Sequence, residues 1–594
     1  MRHSFLLAAL TASCYAVAAE SERQCRCAPS DQCWPSRQDW GSLNSTVNGQ
    51  LISTEPLAIA CYAGPEQDTD ECQNVDESWS NAVFQSGDPI GLSYPVNITC
   101  PPVNATAGEQ PGSCSLGKQP LYAVNATSEG HIIAAVNFAR SRNIRIVIKE
   151  TGHDILGRSE GGASLLIWTR YLRNGVEFIE NYQSPCSESC NARSWSGAAI
   201  HIDGGYTWAD VYPVAKQNGR VVVGGGTPSV SSTGGWMQGG GHGPASRQFG
   251  LGADQVLSAR IVLADGCIIT ASPCENQDVY FAIRGGGPGT YGVVLSTVIK
   301  AWPNVDVQVQ SLAIAPLSNN SALLDAIATL YSAYPGLNDA GYAGYGTWSI
   351  ASPTPIFGNF TAAYVHGFYT FNQTIEDGQN AFAPTLEKLL PANGTSLFVS
   401  VSYNSFDDYW SFYEDVARAE PPVGTSSALG SRLFSRSSVQ NDTAGLRSMV
   451  ETVAGAQNES TSNNFELVSG GRVFEDASDL YSGLNPAWRK SYFSNIVARG
   501  WAPGSPENVK SAVRRDITYN KVAAMEQQAP DTGVYMNEAD RLDPNWQRNF
   551  YGDHYDRLLE IKRRRDPGGV FYCPTCVGSA EWEEDDEGRL CRVL

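Results

Sequence analysis

The sequence predicts an α+β fold assembled in several parts, and three observations carry that prediction. Short alternating or wholly apolar runs recur between residues 121 and 303, bounded by Gly, Asn or Asp as sheet strands usually are. Beyond residue 304 helical and strand patterns mix, and no internal repeat is visible, which points to a second, α+β domain. Length agrees, because 594 residues correspond to about two to four domains at roughly 150 residues each.

The elements follow in order. Residues 1–19 combine Arg2 and His3, an apolar stretch over 5–10 and small residues at 16–19. That is the pattern of a secretory signal peptide cleaved near Ala18 or Ala19. No later apolar run reaches the roughly 18 residues of a membrane span, so a secreted chain outside any membrane is expected. Residues 20–115 are rich in Cys, Pro and Asn and read as a disulfide-held extension. Of the 15 Cys, Cys14 leaves with the signal and the rest can pair. Cys186 with Cys190, Cys267 with Cys274 and Cys573 with Cys576 are spaced as local staples. The C-x-x-C at Cys573 lacks the second ligand pair of a zinc site. Ten N-x-S/T sequons between Asn44 and Asn458 predict a glycoprotein.

A first domain is expected over 116–303. It starts with an extended piece at 122–124 and a helix opening at Thr127-Ser128-Glu129, with Ile132, Val136 and Ala139 on one face. A strand at 144–148 runs into Glu150-Thr-Gly-His-Asp154. Further strands are expected at 164–169, 198–202 and 221–223, a hairpin at 258–263 and 267–270 around Asp265-Gly266, and a strand at 293–299. Residues 304–530 form the second domain, whose aromatic cluster Tyr403, Phe406, Tyr409, Trp410 and Phe412 suits a carbohydrate, an aromatic alcohol or a secondary metabolite. The last segment, 531–594, carries a helix over 555–565 stopped by Pro567 and an acidic stretch at 581–587 that reads as solvated.

Charge narrows the function. Lys plus Arg total 41 against 61 Asp plus Glu, a net charge of −20 that repels DNA and anionic membranes. With 42% hydrophobic residues and 14 Trp the chain is not disordered.

Two motif matches lack their context. Gly287-Pro-Gly-Thr-Tyr-Gly292 fits G-x-G-x-x-G, but a β-branched strand follows where a dinucleotide fingerprint needs a helix. Gly157-Arg-Ser-Glu-Gly161 fits the G-x-S-x-G elbow, yet only Ile155-Leu156 precede it and a strand follows. A secreted α/β-hydrolase using Ser159 with His366 or His554 stays open as an alternative, as does a non-catalytic, sugar-binding glycoprotein. More informative are the loop 150–154 and the Gly clusters at 224–226 and 239–243, whose backbone can approach a phosphate or a flat ring.

Those stretches carry a resemblance. Ile146-Val-Ile-Lys-Glu-Thr-Gly-His-Asp154 with Gly157-Arg-Ser159, Gly234-Gly-Trp-Met-Gln-Gly-Gly-Gly-His-Gly243, Arg284-Gly-Gly-Gly-Pro-Gly-Thr-Tyr-Gly-Val-Val294, and the C-terminal Tyr535-x-Asn537 and Asp566-Pro-Gly-Gly-Val-Phe571 stand in order. Together they resemble the vanillyl-alcohol oxidase and p-cresol methylhydroxylase (PCMH) superfamily, in its berberine-bridge-enzyme-like branch, near the secreted fungal isoamyl-alcohol-oxidase-like proteins. The resemblance implies a two-part PCMH-type FAD-binding domain, an α+β substrate domain, and a C-terminal segment that returns to the FAD domain. It implies FAD bound covalently through His153, with Thr151, Gly152, Asp154, Ser159, Thr233, Gly234, Gly235, Gly241, His242, Gly243, Val293 and Asn537 on the cofactor. No metal is expected. The activity implied is hydride transfer from a small-molecule or oligosaccharide CH–OH to flavin, reoxidised by O2 to H2O2. An oxidative cyclisation or dehydrogenation in secondary metabolism is the alternative within the class.

Two departures refine the expectation. Many relatives carry a Cys before the Gly-Gly-Gly element that bonds the flavin as well; here Gly226-Thr-Pro-Ser-Val-Ser-Ser-Thr-Gly234 has none, which implies a single link. Several relatives have a Tyr base directly after the Asn of Tyr-x-Asn; here Glu538 stands there, and Glu538 with Tyr535 are the candidate catalytic residues. Local pairing of Glu538 with Arg541 is the competing reading.

Overall fold

The computed structural model describes residues 24–184, 195–502, 504–585 and 588–593. The signal peptide expected over 1–19 and the Cys186–Cys190 pairing lie outside the described residues.

A four-stranded sheet has the order Leu51–Ser53, Tyr122–Asn125, Ser164–Trp168, Arg145–Lys149. Its last three strands are parallel and covered on both faces, which is why Ser164–Trp168 reads as an unbroken apolar run. Helix Glu129–Ser141 begins where the sequence placed it: the Ser128 side chain accepts from the His131 amide at its N-terminus. Ile132, Ala135, Val136 and Ala139 pack from this helix onto Ile146, Leu165 and Ile167. The loop 150–154 therefore leaves the carboxyl end of a parallel strand, where open parallel sheets bind ligands.

A five-stranded antiparallel sheet follows, ordered Val176–Gln183, Ser196–Asp203, Val293–Lys300, Val256–Val262, Ile268–Ala271. Its edge strand Val176–Gln183 escaped the sequence reading because it buries no residue fully and carries two glutamates. The strand expected at 221–223 shrinks to Arg220–Val221, paired with Trp302–Pro303.

The third sheet has seven antiparallel strands: Leu397–Phe406, Val307–Pro316, Ala363–Phe371, Ala343–Ser349, Thr461–Leu467, Ser491–Gly500, Ser427–Ser435. One face carries Leu312, Ile314, Tyr364 and Phe368 into the largest core, with helices Asn320–Asp339 and Thr443–Ala454. The alternate residues Val307, Val309, Ala343 and Tyr369 join a second core with Trp208, Tyr212 and Val222. Tyr409, Trp410 and Phe412 belong to this second core and are at most 2% exposed. They are packing residues, which corrects the expectation that the whole aromatic cluster serves a substrate.

Between the second and third sheets lies a buried bidentate ion pair. Asp254, on the short helix Gly252–Gln255, accepts from Arg489 at 2.7 and 2.9 Å and from the Leu251 amide at 3.0 Å. Removing one member strands the other charge. Asp254→Ala is expected to cost about 3–5 kcal/mol of stability, read as a lowered thermal midpoint; an unchanged midpoint would show that the pair adds nothing.

The C-terminal helix Tyr555–Arg565 forms as expected. Its buried Lys562 Nζ donates to Asp566 Oδ2, Thr290 O and Phe571 O, each at 2.7 Å. The acidic stretch is not merely solvated: Trp582–Glu584 pairs with Leu590–Arg592, and Glu584 meets the buried Arg145 at 3.0 Å. Disulfides join Cys25 to Cys591, Cys27 to Cys33, Cys61 to Cys72, Cys100 to Cys114 and Cys573 to Cys576. The Cys267–Cys274 staple does not form. Cys267 is a free, exposed thiol, and Cys274 is disulfide-bonded elsewhere. Strand Ile268–Ala271 lies between them, and four extended residues span about 13 Å, beyond a disulfide's roughly 4.4–6.8 Å Cα separation.

Candidate active site

A cleft of about 1520 Å³, counting the space open to solvent, runs between the 150–155 loop, the Gly-rich 225–238 segment, the 288–294 turn and residues 535–538. Thr151, Gly152, His153, Asp154, Ser159, Thr233, Gly234, Gly235, His242, Val293, Tyr535, Asn537 and Glu538 all line it. Gly241 and Gly243 do not. A Cβ on Gly243 would lie 1.7 Å from the Gly224 carbonyl oxygen, and one on Gly241 (φ +73°) would lie 2.8 Å from the Trp236 ring. These two glycines let backbone and indole pack behind the cleft wall.

The N-terminal extension holds the 150–155 loop, a contact that no motif announced. Buried Lys149 donates from Nζ to Asp88 O at 2.6 Å and Pro89 O at 3.2 Å, and the Ser93 amide donates to Gly152 O at 3.0 Å. Burial lowers Lys149 to about 7 despite the opposing Asp88 carboxylate. Tyr94 reaches the cleft from the same extension. The loop is also tied to the C-terminal segment. Arg158 donates to Asp154 Oδ1 at 2.6 Å and to Asn537 Oδ1 at 2.9 Å. Asn537 Nδ2 donates in turn to Tyr535 OH at 2.7 Å and Gly235 O at 3.1 Å.

His153 faces the cleft with Nε2 2.9 Å from Ser229 Oγ, and burial lowers its pKa to about 4. Its ring is therefore neutral, a nucleophile rather than a cation, at neutral pH. Glu150, also in the cleft wall, has one carboxylate oxygen with no hydrogen-bond partner among the described residues. Burial raises it to about 7, against the bonds that Ser231 and Thr233 supply.

Four groups, one of them His242 of the cleft wall, converge from three parts of the chain. His242 Nδ1 is 2.9 Å from Tyr345 OH, and its Nε2 lies 3.0 Å from Glu466 and 3.3 Å from Glu538. Tyr345 and Glu466 face each other across adjacent strands of the seven-stranded sheet. Glu538 thus pairs with His242, and no bond to Arg541 occurs among the described residues. Burial alone would lower His242, but Glu466 and Glu538 outweigh it and raise it to about 9. Burial, and then repulsion from Glu538, push the Glu466 carboxyl well above the carboxylate range. Tyr535, with its ring 5.0 Å from that of His242, is raised by burial and stays protonated.

The sequence reading missed Glu466, Tyr345 and Tyr94, and took Glu150 only as part of the 150–154 loop. A strand, Thr461–Leu467, with a Glu among its inward residues was the one available signal.

A pH dependence follows. A histidine held above its unfolded value of about 6.5 stabilises the fold fully below that pH and ceases to do so as pH rises through about 9. Raised Glu466 acts in the same direction. Melting temperature is expected to fall between about pH 6.5 and 9.5, with a shallower fall for His242→Gln. Parallel pH profiles for the two proteins would contradict this.

The hydrolase alternative is not supported by the geometry. Ser159 lies among turns over 155–160, not at a strand-to-helix elbow, and hydrogen-bonds to no His among the described residues. His366 is buried in the sheet core, 2.8 Å from Tyr364 OH, and His554 packs on Phe281 at 5.3 Å.

The cleft fits a diphosphate-bearing flavin. The backbone N–H groups of Thr151, Gly152 and His153 donate to no protein acceptor among the described residues. Such a run of free donors is a built anion cradle.

The comparisons agree. Residues 120–272 match the "FAD binding domain" family model and 534–578 the "Berberine and berberine like" model. The chain is 46% identical over 573 residues to FAD-linked oxidoreductase hmp9 of Hypomyces subiculosus, covering 96% of this chain and 90% of that one. It is 32% identical over 592 residues to VAO-type flavoprotein oxidase VAO615 of Thermothelomyces thermophilus, covering 96% and 95%. The solved VAO-type flavoprotein MtVAO713 of Myceliophthora thermophila C1 superposes with a TM-score of 0.93 at 46% identity, covering 96% of this chain and 100% of that one. The α+β fold and the oxidoreductase class expected from the motifs are those of these relatives, and the chain belongs to the VAO-type, berberine-bridge-like family of FAD-linked oxidoreductases.

Proposed function

We propose that this protein is a secreted oxidase that moves a hydride from a substrate CH–OH to FAD held by one covalent link at His153, with O2 as the final acceptor and H2O2 as product. The observation that carries the reading is the cluster of His242, Glu466 and Glu538 at a cleft that His153 and the free amides of 151–153 also line.

Bound FAD supplies hydride acceptance at N5. The protein supplies the proton chemistry. Glu538 lines the cleft and is the more exposed member of the carboxylate pair, so it is the group that takes the hydroxyl proton. Glu466, nearly out of solvent, stands behind it on the same imidazole nitrogen, and the His242 cation offsets the charge of the carboxylate pair. Tyr345 fixes the imidazole from the opposite nitrogen. Residues 151–153 offer their amides to the diphosphate, and Asn537, through Arg158, locks the catalytic segment to that loop.

Three observations support the oxidase and its setting: a full-length relative is named an oxidase, five disulfides staple the described residues, and no described helix is long and apolar enough to cross a membrane. Screening primary alcohols, oligosaccharides and hydroxylated aromatics for substrate-dependent peroxide tests the reading. One class that yields peroxide while bleaching the flavin under anaerobic conditions is the expected result. A flavin that every class bleaches but O2 does not reoxidise would make the protein a dehydrogenase instead.

A further inference from the structure

Ser229 sits in the segment 226–234 that lacks the cysteine of many relatives, and it is 7% exposed. Its Oγ is 2.9 Å from His153 Nε2, and on its other side it donates a short hydrogen bond to Glu420 Oε1. Glu420 belongs to the segment that leads into strand Ser427–Ser435 and is exposed to solvent. The three groups form a chain from the cleft to water: imidazole, hydroxyl, carboxylate.

Proton counting fixes the direction of that chain. A hydroxyl has one hydrogen, and here the Glu420 carboxylate takes it. Toward His153 the Ser229 oxygen can only accept, so Nε2 carries the imidazole hydrogen. Nδ1 keeps its lone pair and has no protein partner among the described residues. It belongs to a ring that lines the cleft, edged by Tyr94 at 6.2 Å between centroids.

We propose that Ser229 and Glu420 are positioning residues for flavin attachment, aiming the Nδ1 lone pair of His153 at the flavin 8α-carbon and carrying the Nε2 proton out to solvent. This rests on the proposed His153 link. In the net reaction a bond forms between Nδ1 and the 8α-carbon, while one C–H bond of the methyl group and the imidazole N–H are lost. The two electrons and two protons released reduce O2 to H2O2, so FAD ends oxidised and attached. As the new bond makes the ring cationic, Nε2 gives its proton to Ser229 while Ser229 passes its own to Glu420. The low basicity of His153 keeps the ring unprotonated beforehand.

The test compares full-length wild type, Ser229→Ala, Ser229→Thr and Glu420→Gln, each purified and then incubated with FAD in air. Two quantities are read over time: flavin bound in the native protein, by absorbance, and flavin remaining with the acid-denatured chain, confirmed by intact mass. Wild type and Ser229→Thr are expected to attach fully. Ser229→Ala and Glu420→Gln are expected to bind FAD in the native state but attach it at least about tenfold more slowly. Glu420 is exposed, so its variant separates proton relay from packing. Attachment in both slow variants at the wild-type rate would overturn the proposal. Wild type that releases all its flavin on denaturation would instead overturn the His153 link itself.

Discussion

Glu538→Gln is expected to lower kcat for substrate oxidation by roughly 10²- to 10⁴-fold, with little change in native flavin absorbance. Glutamine keeps the shape and a hydrogen bond to His242 but cannot take a proton from a hydroxyl. The loss should appear in the anaerobic rate of flavin reduction, while the rate of reoxidation by O2 stays near that of wild type. Glu466→Gln is expected to act more mildly, since that carboxyl lies behind its partner and does not line the cleft. Wild-type turnover in Glu538→Gln would remove it from the mechanism and leave Glu466 or Tyr345 as the acceptor to test. Geometry makes Glu538 the first choice: it alone of the two carboxylates is among the residues lining the cleft.

His153→Ala is expected to abolish covalent flavin completely, because no cysteine stands in 226–234 to supply a second link. FAD should still bind, through the free amides of 151–153 and the glycines of 234–235, and come away on denaturation. Its reduction potential should fall, since alkylation at the 8α position withdraws electron density from the ring. Flavin that stays with the denatured variant would place the link on another residue.

Much of the fold was legible because its signals are local. Ser128 before an apolar-faced helix, the unbroken run at 164–168 and the Asp265-Gly266 turn each specify their element within a few residues. The cleft wall was legible for the same reason: Thr151 to Asp154 are contiguous, so the loop and its histidine read as one object. The cluster around His242 was only half legible. Glu538 stood out beside Tyr535-x-Asn537, but Glu466 and Tyr345 reach His242 through the pairing of two strands more than a hundred residues apart. Register of that kind is set by tertiary packing, and a single strand does not announce which inward residue will meet a distant loop. The Cys267–Cys274 pairing failed for a related reason: proximity in sequence across an extended strand is distance in space. The clamp of Lys149 on Asp88 and Pro89 joins elements that share no pattern, so the extension read as an appendage although it holds the active loop.

On this reading the cleft holds FAD attached to the chain. Its most direct test is the absorbance of the purified, flavin-replete protein before and after acid precipitation. A yellow protein whose flavin absorbance goes entirely into the precipitate is the expected result. A colourless protein, or a yellow one that leaves a colourless precipitate, would contradict it.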